Sequence, residues 1–257
     1  MTMDLRDQLV RIALAVIFAG SALGAQATTE SGLSVAMLEQ RLAAYRHMLS
    51  DWAGLTRYGS EDSEIRPPAS GERRVVFIGD QITEFWPLPR FFPGKPYFNR
   101  GIGGQTSPQM LVRFRQDVIA LKPRVVVILA GANDIAGVTG PGTRGTLSDY
   151  ITSMTELAKA NGIRVVLASI TPVCDCTQPQ TDLRAQRKIA DWNAWLKEYA
   201  AQSGAVYLDY HAALVNFTNG RDFRRELTAD GLLPNEAGYS VMAPLAEQAI
   251  SQALGAK

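Results

Sequence analysis

RVVVILAGANDIAG, residues 124–137, decides the fold. Val125 to Ala130 form a continuous apolar run that leaves no polar face. A half-buried strand alternates apolar and polar residues. An unbroken run of apolar residues closed by a glycine is a strand covered on both sides. Gly131 ends the run, and polar Asn133 and Asp134 follow at once.

The same pattern recurs on either side. RRVVFIGD (73–80) and IRVVLASI (163–170) are apolar strands, and PYFNRG (96–101) and AVYLDY (205–210) are shorter ones. Between them lie segments of helical period. SPQMLVRFRQDVIALK (107–122) sets Leu111, Phe114, Val118 and Leu121 on one side. LSDYITSMTELAKANG (147–162), RAQRKIADWNAWLKEYAAQSG (184–204) and NEAGYSVMAPLAEQAISQAL (235–254) are the other helices, the first two ending at a glycine. Alternating strands and helices predict an α/β domain with a parallel sheet of about five strands. In such sheets ligands collect beyond the carboxyl ends of the strands. Function is therefore expected at 79–81, 100–104, 131–134, 171–176 and 209–211.

The 257 residues suit one such domain, and the 46% apolar and 20% charged content is that of a globular chain. A net charge of +1 with no Lys/Arg run gives no footprint for nucleic acid. Arg6 and Arg11, the apolar IALAVIFAGSALGA (12–25) and the Ala25-Gln26-Ala27 triplet predict a signal peptide over 1–27 and a periplasmic or secreted product. No stable membrane span is expected after cleavage. Residues 28–72 are expected to hold an N-terminal helix over 35–55, capped by Ser34 and packed on the body, and then a linker or surface loop, GSEDSEIRPPASGE. The main domain then covers 73–257. Cys174 and Cys176, spaced C-x-C, either pair with each other in an oxidising compartment or stay free thiols. Two such ligands with no histidine nearby make a poor metal site, and no cofactor is expected.

Four strand-end blocks stand in order: VFIGDQIT, NRGIGGQT, LAGANDIAG and ELTADGLLPNEAGY. Together they resemble the GDSL family, also called SGNH hydrolases, from about Arg73 to Ala253. The resemblance implies a three-layer, flavodoxin-like fold and an ester-hydrolase site. It assigns a serine nucleophile to the first block, oxyanion donors to Gly104 and Asn133, and an Asp–His pair to the last block. Asp230 matches the aspartate. Gln81 stands at the serine position and Leu233 at the histidine position.

Acyl transfer needs an attacking atom and a base to deprotonate it. A carboxamide nitrogen is delocalised and a leucine carries no proton acceptor. An oxyanion site and binding alone retain only ~10³–10⁴-fold acceleration over water. Gln81 is open to two readings: a donor and acceptor that grasps a ligand beside Gly104 and Asn133, or a residue that has drifted. The first describes a pseudoenzyme binding a small acyl ester, lipid or acylated carbohydrate. The alternative is a hydrolase in which Asp230 or Asp80 activates water on esters or glycosides, with Asp134 near. Against it, the resemblance gives Asp80 a loop-bracing role.

The remaining candidates read as structural. His47 and His211 are expected to pack or face solvent, and Thr83 to bond its own loop. Ser107 and Ser169 lack a visible base. Arg100 is expected to be solvated, with an anion as the functional option. Phe85, Trp86, Phe91 and Phe92 wall a pocket mouth or join the core. Trp192 and Trp195 face the core.

Overall fold

The computed structural model describes residues 34–140 and 142–255. The expected signal peptide and its cleavage site lie outside them. The chain divides after Ser50 into two units. The first holds helix α1 (Val35–Ser50), whose start is capped by Ser34 Oγ, an acceptor for the Met37 N–H at 3.3 Å.

The second unit is built on five parallel strands in the order β2-β1-β3-β4-β5. They are β1 (Val75–Gly79), β2 (Tyr97–Gly101), β3 (Val125–Leu129), β4 (Arg164–Ala168) and β5 (Val206–Leu208). The expected α/β architecture is therefore present. Successive side chains of a strand point to opposite faces, which explains the unbroken apolar runs. Val75, Phe77, Val125 and Val127 enter one core layer with Tyr239, Met242, Ala246 and Ile250. Val76, Ile78, Val126 and Ile128 enter the other with Met110, Phe114, Ile151, Met154 and Trp192. Each such side chain contributes about 1.5–3 kcal/mol on burial.

The helices that cover these faces are α5 (Ser107–Asp117), α7 (Arg144–Ala160), α8 (Gln186–Ser203) and α10 (Glu236–Gly255). Shorter helices sit at strand ends or in loops: α2 (Gly59–Glu64), α3 (Gln81–Glu84), α4 (Leu88–Phe91), α6 (Ala132–Ile135) and α9 (Tyr210–Leu214). Helix α2 falls in the segment expected to be a loop. It forms because Tyr58 is buried and donates to Gly101 O, which anchors the segment on β2.

Register sets the site. Gly79 pairs with Gly101 on one side and Leu129 on the other, so β1, β2 and β3 end at one level. The chain leaves β1 for β2 on one side and reaches β3 on the other, which opens a switch point at those ends. Gly101 lets α3 approach. A Cβ there would lie 2.1 Å from Glu84 N.

Candidate functional site

Asp80 follows β1 and caps α3. Its Oδ1 accepts the Ile82 N–H at 2.9 Å, which matches the loop-bracing role. Burial pushes its carboxyl up to about 7; the Ile82 bond and Arg184 act the other way, and Asp134 adds to the rise. Helix α3 is held from outside by Tyr239 Oη, which donates to Ile82 O at 2.8 Å, and by Asn99 Nδ2, which donates to Thr83 O and Trp86 O. This fixes the backbone under Gln81.

Gln81 is 8% exposed. Its Oε1 accepts the Gly104 N–H at 3.1 Å and Asn133 Nδ2 at 2.8 Å. Both partners are donors, so the oxygen is the end that fits. Gly104 presents its N–H from a loop with φ +76°, a conformation that favours glycine. Glu84 Oε2 steadies that loop through the Gly103 N–H at 2.7 Å. Asn133 lies in α6, and its Nδ2 also donates to Gln105 O at 3.0 Å.

Asn133 Oδ1 accepts Arg184 Nη2 at 2.9 Å. This contact fixes which end of the Asn133 carboxamide faces Gln81. Arg184 is 7% exposed, and its Nη1 donates to Gln180 Oε1 at 3.1 Å. Among the described residues its Nε has no partner, and no carboxylate comes within ion-pair distance of it. Burial holds its guanidinium below the ordinary arginine range, and Asp80 and Asp230 oppose that shift through space. Sequence reasoning missed Arg184. The available signal was its place in the long segment between β4 and α8, where the strand-end rule already pointed.

Asp230 Oδ1 accepts the Leu232 and Leu233 N–H groups at 2.9 and 2.7 Å. Leu233 is partly buried. With Phe85, Phe91, Pro234 and Tyr239 it lines a cavity of about 320 Å³. The Asp230 loop is clasped by the Cys174–Cys176 disulfide segment, whose Cys174 N–H donates to Gly231 O at 2.9 Å. Of the two states left open for these cysteines, the bonded one is present. The structure thus gathers Gln81, Gly104 and Asn133 around one point, with Arg184 against Asn133 and the Asp80 and Asp230 carboxylates within electrostatic reach of Arg184.

Other candidates fall elsewhere. Asp134 accepts the Ser107 N–H and hydroxyl, which ties α5 to the β3 loop. His211 is half-buried, its backbone N–H donates to Ser169 Oγ, and the residue lines a separate cavity with Arg187 and Arg221. Burial lowers its basicity, and Asp209 partly restores it. The His47 side chain lies outside the described part of the structure. Arg100 is not solvated as expected. It is 1% exposed and paired with Asp62 and Glu61 under the Tyr58 ring, because α2 lays two carboxylates over β2. Trp86 and Phe92 are core, Phe91 is partly buried against it, and Phe85 is exposed. Trp192 is buried and stacks on partly buried Trp195 at 4.6 Å.

The family model of GDSL-like lipases/acylhydrolases matches residues 77–241. The chain belongs to the GDSL-like lipase/acylhydrolase family. Among solved members, a protein assigned as an acylhydrolase from Bacteroides fragilis is 43% identical, covers 79% of this chain and 99% of its own, and superposes with a TM-score of 0.75. A GDSL-like lipase from Bacteroides thetaiotaomicron is 39% identical over 78% of this chain and 98% of its own, with a TM-score of 0.72. An acetylxylan esterase from Geobacillus stearothermophilus shares the fold at 22% identity, covering 72% of this chain and 95% of its own, with a TM-score of 0.57. The uncharacterized lipoprotein YqeF of Bacillus subtilis is 31% identical over 80 residues, 30% of this chain and 33% of that protein. The chain thus spans about a third of the curated relative it matches. This GDSL-like chain carries the five-stranded parallel sheet of its solved relatives. Among the described residues no helix is long and apolar enough to cross a membrane.

Proposed function

We propose that this GDSL-like chain is an exported pseudoenzyme. It holds a carbonyl-bearing ligand, an acyl compound or acylated carbohydrate, on Gly104 and Asn133, and does not cleave it. One observation carries the reading. Gln81 Oε1 already rests on both donors, as the oxygen of a bound carbonyl would. In this reading Gln81 takes the nucleophile's place and Leu233 the base's. The carboxamide cannot attack, and Asp230 spends its Oδ1 on two loop N–H groups in place of an imidazole. A ligand carbonyl exchanges with the Gln81 oxygen, so the two donors stay satisfied with or without it. Export is supported by the N-terminal apolar segment and by the lipoprotein name of the Bacillus subtilis relative. The name of the Geobacillus esterase makes acetylated xylan a sensible first probe.

Hydrolysis of a short-chain aryl ester tests the reading. Wild type stays at the level of a protein without nucleophile or base, while Gln81→Ser/Leu233→His gains turnover. Wild-type turnover at an enzyme's rate would sink it. A second reading, carboxylate-activated water, is favoured by Asp80, whose carboxyl is pushed up to about 7 and so lies near the range of a general base. In that case wild-type turnover exists and disappears in Asp80→Asn or Asp230→Ala.

A further inference from the structure

Burying a guanidinium costs several kcal/mol unless a counter-charge or a full set of acceptors repays it. Arg184 has neither. Two of its nitrogens meet the neutral carboxamides of Asn133 and Gln180, and its Nε meets nothing among the described residues. Asp80 and Asp230 act on it only through space. Each directs its Oδ1 to the backbone of its own loop. Asp80, pushed up to about 7, is also only partly ionised at neutral pH.

A single side chain, Asn133, accepts from this cation and supplies one of the two donors now covered by Gln81. Two N–H donors converging on one oxygen, with a guanidinium one carboxamide away, describe a receptor for a planar monoanion. We propose that this site binds a small-molecule carboxylate: one oxygen takes the place of Gln81 Oε1 on Gly104 and Asn133, and Arg184 answers the charge. The proposal rests on the reading of Gly104 and Asn133 as a ligand site and narrows its ligand class. A tetrahedral dianion fits poorly, since one guanidinium must answer two charges while Asp80 and Asp230 add negative charge through space. The carboxylate belongs either to a free short-chain acid or to an acidic sugar.

Calorimetric titration of the purified chain with acetate, glucuronate, inorganic phosphate and neutral acetamide is the test. A carboxylate binds saturably, and acetamide, its neutral isostere, binds roughly 10- to 100-fold more weakly. Arg184→Gln erases that difference by weakening the carboxylate alone, while Arg184→Lys keeps part of it. Stronger binding of acetate supports a free acid, and stronger binding of glucuronate an acidic sugar. The assignment is overturned if Arg184→Gln leaves carboxylate affinity intact, if it weakens acetamide equally, or if phosphate binds best. Binding of acetamide that Asn133→Ala abolishes, with no carboxylate preference, overturns this inference and spares the carbonyl site. Carboxylate binding that survives Asn133→Ala brings down both.

Discussion

Three buried arginines divide this molecule into two kinds of region. On the buried side of α5, Arg113 meets Asp117 at 2.8 Å, Gln105 Oε1 at 2.6 Å and Gly79 O at 3.2 Å. Beneath α2, Arg100 meets Asp62 and Glu61. At the strand-end site, Arg184 has no carboxylate partner among the described residues. The first two have their charge answered inside the fold and hold elements together. The third is also buried, though less deeply, and is left with a free donor among the described residues, which is wasteful as architecture and useful for a ligand. Partnering, more than burial, separates a structural cation from a functional one.

Cutting a structural pair should hurt most. Arg113→Ala leaves Asp117 buried and uncompensated, at a cost of about 3–5 kcal/mol, read from the urea midpoint. An unchanged midpoint would remove the distinction. Asp62→Asn deprives Arg100 of its closer carboxylate while Glu61 remains, and should cost about 1.5–3 kcal/mol in the same assay. Arg184→Gln loses two neutral contacts but also a buried unpaired charge, so its stability should stay within about 1 kcal/mol of wild type. A loss as large as that of Arg113→Ala would make Arg184 structural.

A further effect, read through pH, concerns Asp80. Its carboxyl takes a proton below about 7 in the folded chain, and only near 4 when unfolded. The folded state therefore holds the extra proton between those values. The resulting stability is fully present below about pH 4 and is lost as pH rises through about 7. Asp80→Asn removes this share, so the fall in melting temperature from pH 4 to 8 becomes shallower. An identical slope would mean that Asp80 stays ionised throughout.

Much of the fold was legible because its causes are local. Val125 to Ala130 read as a doubly covered strand from side-chain chemistry alone, and Ser34 marked the start of α1. The strand-end blocks likewise pointed to Gln81, Gly104 and Asn133, which the structure joins by hydrogen bonds. Arg100 was misread because its partner Asp62 lies 38 residues earlier, on a helix hidden in a Gly- and Pro-rich segment. Arg184 escaped notice for a related reason. It reaches Asn133 across 51 residues, and nothing beside it in sequence marks it as buried.

By itself the sequence determined that five apolar strands alternate with helices and that their polar ends form one edge. Periodicity and glycine placement act within a few residues, so they can be read from the chain. Only the tertiary structure decided that the Gln81 oxygen rests on Gly104 and Asn133, and that Arg184 stands beside them without a counter-charge. Hydrogen-bond partners and desolvation depend on which distant segments meet, and packing of the sheet sets those meetings.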